Sequence, residues 1–117
     1  MYIGIGARRG VSAREVFDAI EAALEEVGRD KKDIRMLASS TLKENETGLI
    51  EASRELGFEI KFLPDEILNG FEVPSNSQAS RFGLKGVAEP AALAISINKK
   101  LILEKKVYGR ITIAIAE

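Results

Sequence analysis

The sequence predicts an α/β fold: a three-layer α/β/α single domain with a mixed, mostly parallel sheet. Three observations predict it. Short apolar runs alternate along the chain with segments of helical periodicity, the pattern of strands joined through crossover helices. The chain opens on a continuous apolar run, Tyr2-Ile3-Gly4-Ile5-Gly6, of the kind that strands buried on both faces show. Finally, 117 residues with 45% hydrophobic and 30% charged side chains suffice for one full core, and for one domain over residues 1–117.

The elements follow in order. The first strand covers residues 2–6 and breaks at Gly6 into a loop that holds Arg8, Arg9 and Gly10. Ser12 reads as a helix N-cap, and Glu15 three positions on completes a capping box. Val16, Ile20, Ala23, Leu24 and Val27 then recur at helical spacing, opposite Asp18, Glu21, Glu25 and Arg29. Gly28 is placed to end that helix in the left-handed conformation. Residues 30–33 make a helical turn or a tight connection, and residues 34–39 a second strand. A small, polar loop over residues 39–46 leads to a second helix from near Glu46 to Leu56, with Leu49, Ile50, Ser53 and Leu56 inward and Gly57 at its end. Residues 58–63 alternate as a third strand. Pro64-Asp65-Glu66 opens a short helix that Asn69-Gly70 stops. In the turn-rich segment 71–86, Ser77 caps another short helix through Phe82. Residues 87–97 form an Ala-rich helix, apolar nearly all round, with Pro90 in its first turn. That helix suits burial in the core or at a contact between subunits. Residues 101–103 and 111–116 are closing strands joined by a polar link over 104–110; a hairpin pairing of the two makes the sheet mixed.

Composition excludes several functions. A net charge of −1 gives no basic field to draw the chain to nucleic acid or an anionic membrane. No apolar run approaches the roughly 20 residues of a membrane span, and the apolar start is too short for a signal peptide. A cytoplasmic location, with no nucleic acid and no membrane as partner, is the expectation. The sequence has no His and no Cys. Cys/His zinc sites, Ser-His-Asp triads, cysteine nucleophiles and disulfides are therefore out of reach, and no metal site is expected. Acid–base chemistry falls to Glu, Asp, Lys, Tyr, a chain terminus or the substrate itself.

The opening loop carries the strongest chemical signal. A strand that runs through a glycine turn into a helix start presents free backbone N–H groups and the positive end of a helix dipole. Arg8 and Arg9 add forked cationic donors suited to carboxylate or phosphate. The expectation is an anion site at the carboxyl end of the first strand; a tight turn with two solvated arginines is the plain alternative. Gly4-x-Gly6-x-x-x-Gly10 is not a dinucleotide fingerprint, because its last glycine comes one residue late. Lys43, Glu46 and Gly48 form a second polar cluster, which also reads as a loop with a dipole-favoured glutamate. Glu89, in the first turn of an apolar helix, reads equally as a surface carboxylate. Lys105-Lys106 reads most simply as a solvated charge run at a hairpin.

Assembled, these motifs go further. The segment 4–12, Gly-Ile-Gly-Ala-Arg-Arg-Gly-Val-Ser, resembles the opening of one family. So do Leu42-Lys43-x-x-Glu46-x-Gly48-Leu49, the segment 86–93 around Glu89-Pro90, and the apolar ending over 111–116. The family is the C-terminal domain of the cobalamin-biosynthesis protein CbiG, with its stand-alone relative CobE, and the resemblance covers essentially the whole chain. It implies a three-layer α/β/α fold and a place in corrin ring assembly (cobalamin biosynthesis, within porphyrin metabolism). It implies kinship with cobalt-precorrin-5A hydrolase, which opens a δ-lactone and releases acetaldehyde. The alternative is a non-catalytic, CobE-like carrier or accessory protein for corrin intermediates.

On that resemblance the ligand is a tetrapyrrole, a cobalt-precorrin fringed with acetate and propionate groups. No cofactor is expected, since cobalt enters only as part of the substrate. Gly6, Arg8, Arg9, Gly10, Ser12, Lys43 and Lys105 are the candidate substrate-binding residues. Glu89 or Glu46 is the candidate base that activates water, and Arg9 or loop N–H groups the oxyanion donors. A separately encoded CbiG N-terminal or middle region is an expected partner, and a homo-oligomer is compatible with the apolar helix at residues 87–97. Three positions depart from the family: Ala7 stands where Cys is frequent, Thr41 where Asp is common, and Glu104 where Pro is frequent. A cysteine nucleophile is thereby excluded here.

Overall fold

A computed structural model describes residues 1–71 and 86–117. Its elements are β1 (Tyr2–Ala7), α1 (Ala13–Val27), β2 (Met36–Ser40), α2 (Thr47–Leu56), β3 (Ile60–Leu63), α3 (Asp65–Leu68), α4 (Ala88–Ile95), β4 (Leu101–Tyr108) and β5 (Ile111–Ala116). The short helix expected over residues 77–82 lies outside the described residues.

The sheet order is β3-β2-β1-β5-β4. β1 pairs parallel with β2, and β2 parallel with β3; β5 runs antiparallel to both β1 and β4. Four strands therefore point one way and β5 alone points back. The mixed, mostly parallel sheet expected from the sequence forms. The carboxyl ends of β1, β2, β3 and β4 share one edge, where ligands gather in folds of this kind.

The two faces of the sheet are built from different side chains. On one, Ile3, Ile5, Leu37, Ile111, Ile113 and Ile115 pack under α1 and α2 through Val16, Ile20, Leu24 and Leu49. On the other, Ala38, Ala114 and Ala116 meet Ala88, Ala91, Ala92 and Leu93 of α4. Small residues there let α4 sit down on the backbone of the sheet. Gly4 is the extreme case: a Cβ on it would stand 1.9 Å from Ala88 O and 2.6 Å from Ala92 N. α4 is thus covered within the single chain, with Ala88, Glu89, Pro90, Ala91, Ala92 and Leu93 all buried. Of the two burials open to this helix, the core is the one it takes.

Local signals work where expected. Ser12 Oγ accepts the Glu15 N–H at 3.1 Å, and Gly28 and Gly57 end α1 and α2 at φ 65° and φ 80°. The segment 30–33 is a single 3-10 turn, capped by Asp30. A second such turn, Thr41–Lys43, interrupts the loop expected over 39–46.

Two boundaries need correction. The polar link expected over 104–110 is strand as far as Tyr108, leaving only Gly109 and Arg110 as the turn. β4 is an edge strand of the sheet, where lysines are favoured because they keep an open edge from pairing with other chains. Its charge therefore reflects exposure and not a loop. The helix expected to reach Ile97 stops at Ile95. Ser96 turns extended, its Oγ donates to Leu93 O at 2.9 Å, and Lys99 Nζ donates to Ala94 O at 2.8 Å. With those carbonyls satisfied the helix ends, and Ile97, which continues the apolar run, is exposed. Among the described residues no helix is long and apolar enough to cross a membrane.

Candidate functional site at the carboxyl edge

Two loops at the carboxyl edge are laced together. In the first, Gly10 takes φ 81°, a conformation open to glycine, and its N–H donates to Glu46 Oε2 of the second at 3.1 Å. Gly48, at the start of α2, lets the loops touch: a Cβ there would lie 2.2 Å from Val11 O. Glu46 and Gly48, three and five residues after Lys43, thus hold the first loop in place.

The hairpin turn grips the same loop from the other side. Arg8 N donates to Arg110 O at 3.1 Å. The Arg110 guanidinium in turn donates to both Glu15 carboxylate oxygens, at 2.7 and 2.9 Å from one nitrogen, and to Gly10 O at 3.4 Å. These hydrogen bonds from Arg110 hold the Glu15 carboxyl below its ordinary value and raise the Arg110 guanidinium. Sequence reading missed Arg110. Its partner Glu15 was absorbed into the capping box, and nothing local announces a pair so far apart along the chain.

Between this loop, the start of α4 and β4 lies a cleft of about 390 Å³. Gly6, Arg8, Val87, Lys105, Val107 and Thr112 line it, with Arg110 at its side. Its described lining holds three cations and no carboxylate. Arg110 is committed to Glu15, whereas Arg8 and Lys105 make no ion pair among the described residues. Lys105 Nζ reaches to 3.8 Å from where a Cβ on Gly86 would sit. Val107 is 68% exposed and offers an apolar wall beside the charges. A roomier hollow of about 630 Å³ lies at the opposite edge, along Glu21, Glu25 and residues 28–33. Its charges are mixed in sign, and it sits where the first helix ends, away from the carboxyl ends of the strands.

The structure brings Gly6, Arg8 and Lys105 together in the cleft. Gly10, Ser12 and Glu46 stand beside it and shape the loop, Ser12 by capping α1. Arg9, exposed, and Lys43, half-buried in its 3-10 turn, lie outside the described lining. Glu89 departs from the surface carboxylate that its position suggests: it is 2% exposed, and its Oε2 accepts the Lys105 N–H at 3.0 Å. Lys105 is likewise more than a solvated charge, being half-buried against α4 while Lys106 points away to Glu26 at 2.7 Å. Tyr108 faces the other layer, where burial pushes its phenol up and its hydroxyl has no partner among the described residues.

Residues 1–116 match the family described as cobalamin synthesis G C-terminus, CbiG_C. The chain belongs to this family. Within the CbiG_C match, a cobalt-precorrin-5A hydrolase of Priestia megaterium is 36% identical over 116 residues, which are 97% of this chain and 31% of that protein. The chain thus spans under a third of the length of that curated relative. CobE, a protein from the cobalamin (vitamin B12) biosynthetic pathway, is 33% identical with a TM-score of 0.86, over 97% of this chain and 89% of CobE. A cobalamin biosynthesis protein of Agrobacterium tumefaciens is 28% identical with a TM-score of 0.76, over 97% and 94% of the two chains. The CbiG_C resemblance expected from the motifs is borne out, as is the fold it implies.

Proposed function

We propose that this CbiG_C domain binds a cobalt-precorrin at the carboxyl-edge cleft and serves the lactone-opening step of cobalt-precorrin-5A hydrolysis together with other CbiG regions. The observation that carries the reading is the lining itself: among the described residues, Arg8 and Lys105 without ion-pair partners, an apolar wall at Val107, and no carboxylate. A tetrapyrrole fringed with acetates and propionates presents the complementary surface, an apolar ring with anions around it. The similarity to a named cobalt-precorrin-5A hydrolase supports the choice of ligand, and the 31% coverage of that protein supports the need for further regions. Cobalt arrives with the substrate. The site acts in the cytoplasm on this reading.

A second reading, a CobE-like carrier without turnover, has its own support. Glu46 and Glu89, the carboxylates offered as bases, each accept a backbone N–H, and neither is part of the described cleft lining. The similarity to CobE also extends over nearly all of both chains.

Titrating the purified chain with cobalt-precorrin-5A, followed by tetrapyrrole absorbance with acetaldehyde assayed in the same tube, tests both. Binding that Arg8→Ala weakens roughly ten- to hundredfold is expected, the value of a charge-assisted hydrogen bond. Acetaldehyde from the chain alone, or only when the other CbiG regions are added, supports the hydrolase reading. Binding without acetaldehyde under either condition supports the carrier. Absence of binding overturns both.

A further inference from the structure

β4 departs from regular pairing in a way that bears on the cleft. Between Leu103 and Lys106 it advances three residues while β5 advances two, from Ile115 to Ile113. One residue around Glu104 and Lys105 is therefore extra, and a bulge of this kind frees a ladder N–H and swings the following side chains. A freed N–H turned inward needs an acceptor. Glu89 provides one: its buried carboxylate takes the Lys105 N–H at 3.0 Å from the first turn of α4. Because side chains alternate along a strand, the extra residue decides which face each lysine meets. Lys105 and Val107 emerge on the cleft side, and Lys106 on the α1 side, bonded to Glu26.

We propose that Glu89 is a positioning residue for Lys105. Its carboxylate pins the β4 bulge through the Lys105 amide and so aims the Lys105 ammonium into the cleft, where it takes a carboxylate of the ligand. The second half of this proposal rests on reading the cleft as the tetrapyrrole site; the first half stands on the hydrogen bond and the register alone.

The test compares wild type, Glu89→Gln, Glu89→Ala, Lys105→Met and the double variant Glu89→Ala with Lys105→Met. Without ligand, hydrogen exchange of the Lys105 amide is read by NMR. Wild type and Glu89→Gln, whose amide oxygen still accepts, protect it; Glu89→Ala exchanges it about tenfold faster or more. Equal protection in Glu89→Ala overturns the pinning, as does loss of protection in a folded Glu89→Gln, a variant that decides the matter even if Glu89→Ala does not fold. The same proteins are then titrated with cobalt-precorrin-5A. Lys105→Met weakens binding about tenfold, Glu89→Ala by a similar factor, and the double variant by no more than either, because both remove one contact. Losses that multiply in the double variant show Glu89 acting independently of Lys105 and overturn the link. Intact exchange behaviour with no binding by wild type upholds the pinning and overturns the ligand contact, together with the tetrapyrrole reading.

Discussion

Gly4 and Gly6 stand two residues apart on β1 and face the same side of the sheet, yet they answer to different demands. At Gly4 the backbone of α4 fills the space that a side chain would need, with Ala88 O only 1.9 Å from an added Cβ. At Gly6 an added Cβ meets Thr112 Cβ at 3.6 Å and Val87 Cβ at 3.9 Å, both ordinary contacts, and it would project into the cleft. One glycine lets the layers close; the other leaves the floor of the carboxyl-edge cleft open. A sequence motif that reads as a unit is therefore split between packing at Gly4 and the shape of the cleft at Gly6.

The largest effect that sharpens this contrast is Gly4→Ala. Overpacking against backbone has no flexible side chain to yield, and a loss of at least about 3 kcal/mol is expected, a large part of a domain's whole stability. Chemical denaturation checks it, and a variant as stable as wild type would mean that α4 does not seat on β1 as described. Gly48→Ala comes next, at about 2–3 kcal/mol, since its Cβ would strike Val11 O at 2.2 Å and pry the two loops apart. Gly6→Ala should leave stability within about 1 kcal/mol, because strand positions favour Ala over Gly, while it weakens cobalt-precorrin-5A binding. Equal damage to folding and binding at Gly6 would erase the distinction between the two glycines.

The smallest effect concerns the loop's outer brace. Arg110 holds the Glu15 carboxyl below its ordinary value of 4.5. A group whose folded value is depressed contributes stability that is present above its unfolded value and lost as pH falls through the folded one. Wild type should thus lose this contribution below about pH 4.5, whereas Glu15→Gln lacks it at neutral pH and changes less with acid. Urea midpoints measured from neutral pH to about pH 3 read the difference. Parallel profiles for the two proteins would show that the pair contributes nothing, a common outcome for exposed ion pairs.

What was legible in the sequence was local. The Ser12 cap, the stops at Gly28 and Gly57 and the apolar period of α1 each involve residues within a turn or two of one another. The glycine turn between β1 and α1 was legible for the same reason. The requirement at Gly4 was not, because the atoms that impose it belong to a helix that begins at Ala88. Glu89 looked like a surface residue because a first-turn glutamate usually is one, and its burial depends on a strand edge formed by Lys105. β4 was cut short because the charges of an edge strand imitate those of a loop. Arg110 escaped because its pairing with Glu15 joins the two ends of the sequence.

In the proposed function the tetrapyrrole sits at the carboxyl edge and not in the larger hollow opposite. Amide chemical shifts of the chain, followed by NMR as cobalt-precorrin-5A is added, test it most directly. Changes should gather at Gly6, Arg8, Lys105, Val107 and Thr112, with residues 28–33 unmoved. Shifts confined to residues 28–33 and the neighbouring Glu21 and Glu25 would contradict it.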